Sequence, residues 1–357
     1  MGEVRALRRE VVVGAVGAGG WGKNVVRTLA GLGGCALKYV CDAREEVRAA
    51  NRTLYPNARV VGDLDEILTD PDVEALVVAV DAPRHFEVAR RCLLAGKHTF
   101  VEKPLTLTTQ EAEALVSLAE SNDRRLMVGH LLLYHPAVLR IRELIEAGEL
   151  GEILYLYCQR LNLGVVRQRE NAWWSLAPHD ISVAQFFLGA PVRRVTATGQ
   201  CFLQPDLGVE DVVFATLNFD GGALAHIHAS WLDPHKERKI TVVGTRRMVV
   251  FDDMAATDKL RIYDKGADKV PSYVGFDESI RLRSGDLLVP AIPFAEPLRT
   301  ELGHFLDGVR AGSPIRSDGM NGLEVVRVLV AGQRSLAQGG IPIEVDRGPS
   351  ERRVVHG

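Results

Sequence analysis

The chain has 357 residues, a formal net charge of −3, 46% hydrophobic residues and 25% charged residues. This composition excludes an intrinsically disordered chain, and the small net charge gives no global attraction to nucleic acid or to an anionic membrane. Two domains are expected for this length. The five cysteines are odd in number and widely spaced, which argues against a disulfide framework. With no signal-type or membrane-spanning apolar run, we expect a cytoplasmic protein.

Short apolar runs alternate with helical patterns from Val11 to about Val128. The predicted strands are Val11–Val16, Ala36–Cys41, Ala75–Val80, Thr99–Val101 and Leu126–Val128. The predicted helices are Lys23–Leu32, His85–Ala95 and Thr109–Glu120. Such alternation is typical of βαβ units, so the first part of the chain is predicted to be an α/β domain with a parallel sheet.

A glycine-rich turn follows the first predicted strand. Its sequence is Gly17-Ala18-Gly19-Gly20-Trp21-Gly22, which gives G-x-G-x-x-G at a strand-to-helix junction. Gly17 permits a tight turn, Gly19 lets the backbone approach a pyrophosphate, and Gly22 lets the helix pack on the strand. Free N–H groups at the helix N-terminus favour phosphate. The turn therefore predicts a dinucleotide site.

An acidic residue, Asp42, ends the second predicted strand, twenty residues after Gly22. A carboxylate there accepts hydrogen bonds from the adenosine ribose and repels a 2′-phosphate, which favours NAD over NADP. Arg44 lies two residues later and is suited to hold a 2′-phosphate instead. Both cofactors stay open at this point, with NAD preferred.

Lys103 is the first candidate for proton chemistry. It follows the strand Thr99–Val101 in Glu102-Lys103-Pro104, at the carboxyl end of a parallel strand, where ligands of open α/β sheets bind. Oxidation of an alcohol needs a group that receives the hydroxyl proton, and a partly desolvated lysine suits that task. The alternative is an ordinary solvated lysine at a strand end.

Strands follow one another directly after about Ala147, which predicts a largely antiparallel sheet. These strands are Ile153–Arg160, Val192–Leu203, Val212–Phe219, Ala223–Trp231, Lys239–Val243, Met248–Phe251 and, last, Ile341–Val345. The paired glycines Gly221-Gly222 predict a hairpin turn. Helices are predicted at Glu296–Val309 and Leu323–Leu336, and an irregular loop at Asp264–Ser284.

His179 is the second candidate for proton chemistry. We expect Ser175 to cap a helix and Pro178 to lie in its first turn, with the apolar run Ile181–Leu188 behind them. His179 then lies near the positive end of the helix dipole, which favours neutral imidazole, and Asp180 has a structural explanation as a charge favourable to that dipole. A surface or capping histidine is the alternative.

The glycine turn, Glu102-Lys103-Pro104 and the downstream His179 together resemble the glucose–fructose oxidoreductase, inositol 2-dehydrogenase and rhizopine-catabolism (Gfo/Idh/MocA) family. The resemblance covers nearly the whole chain. It implies an N-terminal Rossmann domain, here residues 1–130, and a C-terminal α+β domain with a large, mostly antiparallel open sheet, here residues 131–357. It implies that Lys103 and His179 hold the reacting alcohol against the nicotinamide. It further implies cofactor contacts from a second group of residues, namely Val80, Pro83, His85 and Glu102.

One residue departs from the family pattern. Many members carry an aspartate four residues before the histidine, and this chain has Ser175 there. A serine hydroxyl can still hydrogen-bond a substrate hydroxyl, but it supplies no negative charge. Lys103 therefore carries more of the proton-transfer assignment.

The segment that leads to His179 is predicted to recognise the substrate. Arg160 and Arg167 offer planar donor forks suited to a diphosphate, and Trp174 can stack on a sugar or nicotinamide face. Asn162-Leu163-Gly164 with Trp174 resembles family members that act on nucleotide-linked sugars, and the resemblance also places His130 and Tyr134 near the substrate. The alternative is a solvated loop with an aromatic anchor.

No metal site is predicted. His226 and His228 share one strand face, but no third ligand with metal spacing stands near them. The resemblance implies that the open sheet forms a subunit interface, so we expect a homodimer or homotetramer without nucleic-acid or membrane partners.

The preferred hypothesis is an NAD-dependent dehydrogenase that oxidises a ring hydroxyl, at carbon 3, of a sugar or nucleotide-linked sugar. Three alternatives stay open. They are an NAD(P)H-dependent keto-sugar reductase of deoxysugar or antibiotic biosynthesis, an NAD-assisted glycoside hydrolase, and a non-catalytic cofactor-binding sensor. Retention of Lys103 and His179 counts against the sensor.

Overall fold

The computed structural model describes residues 9–164, 166–269 and 280–348. The chain forms two compact units, one made of Met1–Tyr134 with Ala295–Val326 and the other of His135–Phe294 with Arg327–Gly357. Within the described residues, no helix is both long enough and apolar enough to cross a membrane. The division at residue 130 stays a prediction, and the segment 295–326 belongs to the first unit.

Parallel strands build the sheet of the first unit. They are β1 (Val11–Val16), β2 (Cys35–Cys41), β3 (Arg59–Val61), β4 (Ala75–Val78), β5 (His98–Glu102) and β6 (Leu126–Gly129). Their order in the sheet is β3-β2-β1-β4-β5-β6. This order reverses between β1 and β4, which is the point where open α/β sheets bind ligands beyond the carboxyl ends of their strands. The predicted α/β fold with a parallel sheet is confirmed.

Strands of the second unit form one larger sheet. They are β7 (Ile153–Leu161), β8 (Val192–Gln200), β9 (Val212–Phe219), β10 (Leu224–Ser230), β11 (Glu237–Gly244), β12 (Met248–Asp252), β13 (Leu260–Lys269), β14 (Ile280–Leu288) and β15 (Ile343–Glu344). Their order is β14-β13-β12-β11-β7-β10-β9-β8-β15. Neighbours are antiparallel except β7 and β10. The hairpin predicted at Gly221-Gly222 joins β9 to β10, and both glycines have positive φ, +89° and +94°.

The described helices flank these sheets. They are α1 (Gly22–Ala30), α2 (Glu45–Leu54), α3 (Asp65–Leu68), α4 (His85–Leu94), α5 (Thr109–Ser121), α6 (Pro136–Glu146), α7 (Ala172–Leu188), α8 (Pro297–Ala311) and α9 (Gly319–Ala337). In α1 the apolar residues Val25, Val26 and Leu29 recur at helical spacing and are fully buried. In α8, Phe305 packs edge-on against Phe100 of β5, with 5.8 Å between ring centroids. The segment 297–311 is therefore part of the core of the first unit.

The start of α7 was predicted wrongly. The helix begins at Ala172, and the side chain of Asn171, not of Ser175, accepts the hydrogen bond of the N-cap, from the backbone N–H of Trp174. His179 therefore lies in the helix interior and not near the positive end of the dipole. Pro178 also lies inside the helix. The prediction failed because a proline normally marks a first turn, whereas packing here holds α7 together across it.

The irregular loop predicted at Asp264–Ser284 was also wrong where the structure describes it. Residues 264–269 continue β13, and residues 280–284 open β14, which pairs antiparallel with β13. Residues 270–279 lie outside the described part. The mostly polar residues 264–269 hid the end of β13, whereas Ile280-Arg281-Leu282-Arg283 alternates apolar and charged residues and was an available signal for β14.

Candidate functional site

The glycine turn between β1 and α1 has no room for side chains at two of its positions. Gly17 has φ +88°, and a Cβ on it would stand 2.5 Å from the carbonyl oxygen of Ala79. A Cβ on Gly22 would overlap the carbonyl oxygen of Gly17. Gly20 also has positive φ, +28°, but a Cβ there would meet no atom within 4 Å. The turn is thus closely packed against the end of β4, as the cradle of a dinucleotide pyrophosphate requires.

Asp42, just beyond β2, fixes the turn from the other side. Its Oδ2 accepts the backbone N–H of Ala18 at 2.9 Å, and its Oδ1 accepts the backbone N–H of Arg44 at 3.0 Å and Nε of Arg44 at 3.2 Å. Burial raises the pKa of this carboxyl, but the hydrogen bonds from Arg44 and Ala18 outweigh it and hold the pKa below its usual value. The carboxylate therefore stays charged at neutral pH.

Arg44 covers part of the same surface. Its Nη2 occupies the space into which a Cβ on Gly19 would project. The Arg44 side chain is 56% exposed, so it can move away from Gly19 at little cost. A dinucleotide that lies along Gly19 therefore has to displace this guanidinium or pack against it.

His85 links two strand ends of the first unit. Its Nε2 lies 3.0 Å from the carbonyl oxygen of Val80 and its Nδ1 lies 2.7 Å from that of Pro104. Burial lowers the pKa of the ring, so the neutral imidazole donates to one carbonyl at a time. The cofactor contacts of Val80, Pro83 and His85 stay predictions, and the His85 ring nitrogens already serve this link.

Trp21 and Glu102 bridge the carboxyl edge of the first sheet. Trp21 Nε1 donates to Glu102 Oε1 at 2.7 Å. Trp21 belongs to the turn after β1 and Glu102 ends β5, so the indole reaches past the end of β4, which lies between them. Burial raises the pKa of Glu102, although the Trp21 hydrogen bond and the charge of Lys103 act in the opposite direction. Lys103 follows directly at this edge.

His130 and Tyr134, predicted near the substrate, are both buried in the first unit. Nδ1 of His130 lies 2.7 Å from Oδ1 of Asn321, and burial lowers the pKa of the ring to about 4. The other nitrogen, Nε2, is buried without a hydrogen-bond partner in the described chain. The Tyr134 hydroxyl lies 3.0 Å from Oγ of Ser317, so it already takes part in an internal hydrogen bond.

Arg160 of the second unit is committed to an internal ion pair. Its Nε and Nη2 donate to the two carboxylate oxygens of Asp180 at 2.9 and 2.8 Å. Both residues are buried, and this two-bond geometry is the strong form of an arginine–carboxylate contact. Asp180 thus has a structural role, but it pairs with Arg160 of β7 and does not act on a helix dipole. The diphosphate contact of Arg160 stays a prediction, with two of the three guanidinium nitrogens already engaged.

Three further predicted substrate residues lie between the end of β7 and the first turn of α7, namely Asn162, Arg167 and Trp174. The backbone N–H of Asn162 donates to Ser230, and Nε1 of Trp174 donates to Gln333 at 3.1 Å. Arg167 forms an exposed ion pair with Glu170 at 3.0 Å. The indole N–H of Trp174 is therefore used within the protein, while the residue as a whole is partly exposed.

Ser175 and His179 lie four residues apart in α7 and share one face of the helix. Ser175 is buried, 5% exposed, and His179 is partly exposed. The serine that replaces the usual family aspartate is therefore placed on the same helix face as the histidine. Their substrate contacts stay predictions.

His226 and His228 occupy the open face of the second sheet. His228 stacks on Phe214 with 4.2 Å between ring centroids, and His226 Nδ1 lies 3.3 Å from the Thr216 hydroxyl. Among residues 9–164, 166–269 and 280–348 no three His, Cys, Asp or Glu side chains are grouped as metal ligands. The subunit interface expected on this sheet stays a prediction.

Sequence reasoning missed two partners of the predicted residues. Asn321 in α9 holds His130, and Glu301 in α8 is 1% exposed near the end of β5. Both lie far along the chain from the strand ends they reach, so no local motif announces them. The available signal for Glu301 was a charged residue one helical turn before the apolar Phe305, in the helix predicted at Glu296–Val309.

Comparison with known proteins shows the family of the chain. A model described as an oxidoreductase family with an NAD-binding Rossmann fold matches residues 11–130, and a model of the GFO/IDH/MocA C-terminal domain matches residues 138–250. The protein is therefore an NAD-binding oxidoreductase. The chain belongs to the Gfo/Idh/MocA family, which confirms the resemblance that the glycine turn, Lys103 and His179 indicated.

Several relatives match over most of their length. UDP-N-acetylglucosamine 3-dehydrogenase of Acidithiobacillus ferrooxidans is 29% identical over 315 residues, which cover 88% of this chain and 93% of that protein. The scyllo-inositol 2-dehydrogenase (NAD(+)) of Bacillus subtilis is 25% identical over 293 residues, covering 79% and 80%. Among solved structures, GenD2 from gentamicin A biosynthesis in complex with NAD has a TM-score of 0.79 and 25% identity, covering 97% of this chain and 99% of that chain.

Proposed function

We propose that this oxidoreductase oxidises a ring hydroxyl of a sugar, and that the sugar is nucleotide-linked and oxidised at carbon 3. The similarity to UDP-N-acetylglucosamine 3-dehydrogenase supports the nucleotide-linked sugar and the carbon, and the similarity to scyllo-inositol 2-dehydrogenase supports a ring alcohol more generally. Asn162, Arg167 and Trp174 are our candidates for contacts with the substrate.

The observation that carries this proposal is the position of Lys103. It follows Glu102 at the carboxyl end of β5, in the sheet whose glycine turn suits a dinucleotide. The side chain of Glu102 accepts the indole N–H of Trp21, which belongs to that turn. A lysine at this strand end supports the proposal, because ligands of such sheets bind beyond the carboxyl ends of the strands. The same edge supplies the cofactor cradle and a basic group.

The reaction removes a hydride from the carbon and a proton from the hydroxyl, and yields a ketone, NADH and the proton. NAD, when bound, supplies the carbon that accepts the hydride. We assign Lys103 the task of receiving the hydroxyl proton. We assign His179 the task of orienting or deprotonating the same hydroxyl, with Ser175 as a further hydrogen-bonding group.

A second candidate is the reverse reaction, the reduction of a keto-sugar in antibiotic or deoxysugar biosynthesis. The similarity to GenD2, whose source is gentamicin A biosynthesis, favours it. The same residues serve both directions, because the group that takes the hydroxyl proton in oxidation returns it in reduction.

One assay separates these functions. Purified protein is mixed with NAD and, one at a time, UDP-, GDP- and dTDP-sugars and free sugars, and the absorbance of reduced nicotinamide is followed. We expect net NADH with at least one nucleotide sugar. In a second set of reactions, keto-sugars are supplied with NADH, and reaction only in this set supports the second candidate. Bond cleavage without net NADH indicates a hydrolase. NAD binding without turnover of either the sugars or the keto-sugars overturns the proposal.

The variant Lys103→Ala tests the assigned role. We expect turnover to fall at least about a hundredfold, because a positioned acid–base group contributes roughly 10²–10⁴-fold, while NAD affinity changes little. Lys38→Ala is the matched control, since Lys38 stands in the same sheet and pairs with Asp70 and Asp72. Turnover in Lys103→Ala comparable to that of the control would refute the role.

A further inference from the structure

Glu301 is a buried carboxyl group outside the chemistry proposed above. It lies in α8 and is 1% exposed, and neither of its carboxyl oxygens has a hydrogen-bond partner within the described residues. An ionised carboxylate loses its hydration in such a position, so the charged form is strongly disfavoured unless a neighbouring group stabilises it. A neighbouring group is therefore needed to explain why a carboxyl group is buried at this position.

Helix and strand periodicity place Glu301 next to Glu102. Phe100 and Glu102 are two residues apart in β5 and point to one face of the sheet, whereas Glu301 and Phe305 are four residues apart in α8 and share one face of the helix. Phe305 packs on Phe100. At the end of α8, Arg310 donates to the backbone carbonyl of Gly34, which precedes β2, so α8 runs opposite to the strands. The carboxyl group of Glu301, one turn before Phe305, therefore lies toward the carboxyl end of β5 and near Glu102.

The end of β6 makes room for the Glu102 carboxyl group. A Cβ on Gly129, which pairs with Glu102 across β5 and β6, would stand 2.9 Å from Glu102 Oε2. Oε1 of the same carboxyl group accepts the Trp21 indole N–H. Glu102 is thus held between Trp21 on one side and the α8 surface that carries Glu301 on the other.

We propose that Glu102 and Glu301 form a carboxyl pair that holds one proton, and that Glu301 is a positioning residue which fixes the charge and orientation of Glu102 between Trp21 and Lys103. Two neighbouring carboxylates repel one another, and Glu301 is buried, so only one of them is ionised near neutral pH. Burial, with the charge of Glu102, raises the pKa of Glu301, and burial raises that of Glu102. The two carboxyl groups act on each other through their charge, because no hydrogen bond joins either oxygen of Glu301 to another group within the described residues.

Other charged and titratable groups stand near the pair in the described structure, and one of them is Arg316, whose guanidinium lies 5.0 Å from the centre of the Tyr134 ring. Lys103 of β5 stabilises the ionised form of Glu102, and Tyr134, in the turn after β6, has its pKa raised by burial and by the charge of Glu301. On α1, which packs on α8, the Arg27 side chain bonds instead to Glu296 at the start of α8. The pair thus controls how much negative charge stands beside Lys103.

This control links the pair to turnover. At a pH below the upper pKa of the pair, the pair carries one negative charge, and at a pH above that pKa it carries two. The added charge favours the protonated ammonium of Lys103 and opposes its task as a base. This consequence rests on the proposed function, whereas the pairing itself does not.

The pairing is tested on the protein without cofactor. Trp21 reports on Glu102, so the difference in tryptophan emission between wild type and Trp21→Phe is followed from about pH 5 to about pH 10, well above the ordinary glutamate pKa of about 4.3. We expect a Trp21-dependent titration with an upper step in wild type. Glu301→Gln, which copies the shape of the protonated acid, should abolish the upper step, and Glu296→Gln on the same helix should leave it unchanged.

Two further measurements keep the outcomes distinct. Glu301→Leu removes both unpartnered oxygens and should also abolish the upper step, so a folding failure of one variant leaves the other as the test. An unchanged titration in folded Glu301→Gln or Glu301→Leu overturns the pair. Turnover in wild type should decline across the same upper step and persist in Glu301→Gln. Absence of turnover on any sugar overturns the proposed function and leaves the fluorescence result standing.

Discussion

The carboxyl edge of the first sheet and the segment from β7 to α7 use polar residues in opposite ways. At the first, the glycine turn, Asp42 and Lys103 come from short motifs at the ends of β1, β2 and β5. At the second, Arg160 is committed to Asp180 and the indole N–H of Trp174 to Gln333. The first region is built to present backbone to a ligand, whereas much of the polarity in the second holds α7 in place.

The largest effect is expected from breaking the buried pair of the second unit. Asp180→Ala leaves the Arg160 guanidinium buried without its carboxylate, which should lower the free energy of unfolding by about 3–5 kcal/mol. Glu143→Ala, which breaks the exposed pair with Arg140, should cost about 0.5 kcal/mol or less. Denaturant unfolding of both variants measures the contrast.

A small loss in Asp180→Ala, similar to that in Glu143→Ala, would show that Arg160 finds other partners. Arg160 would then be available for a diphosphate, and the contrast between the two regions would disappear.

The next effect is expected at the glycine turn. Gly22→Ala forces a Cβ into the carbonyl oxygen of Gly17, so the turn must open, and NAD affinity should fall about a hundredfold, or about 2.7 kcal/mol. Gly33→Ala adds the same methyl group where no atom stands within 4 Å, and should bind NAD normally. Calorimetric titration of NAD into each variant is the measurement.

Normal NAD binding by folded Gly22→Ala would mean that the dinucleotide does not lie along this turn. The carboxyl edge of the first sheet would then not be a region that presents its backbone to the dinucleotide.

A smaller effect is expected at Asp42. Asp42→Asn keeps the shape of the side chain but removes the charge that should accept ribose hydroxyls and repel a 2′-phosphate, so NAD affinity should fall about tenfold while NADP affinity should not fall. The pKa of Asp42 is held low by its partners, so the wild-type preference should persist as pH falls to that of an ordinary aspartate. Asp72→Asn, at an exposed pair with Lys38, is the control.

Equal losses for NAD and NADP in Asp42→Asn would assign Asp42 to holding the turn through Ala18 and not to cofactor choice. Arg44, which contacts the same carboxylate, would then be the next residue to test.

Local motifs made the first sheet and its cofactor turn predictable, because strand, glycine spacing and acidic residue follow one another along the chain. The start of α7 was not predictable from Ser175 and Pro178, since Asn171, seven residues before Pro178, supplies the cap. The Glu102–Glu301 neighbourhood was hidden for another reason. It depends on how α8 packs on β5, and a single sequence does not display contacts between distant segments.

The return of α8 to the first unit has a consequence for synthesis of the protein. A ribosome releases β5 long before it has made α8, so Phe100 and Glu102 emerge without the helix that covers them. The apolar face of the nascent sheet therefore stays uncovered, and accessible to chaperones or to aggregation, until nearly the whole chain has left the exit tunnel. Translation arrest before residue 297 should therefore yield a first unit that is more sensitive to protease than the same unit in the full chain.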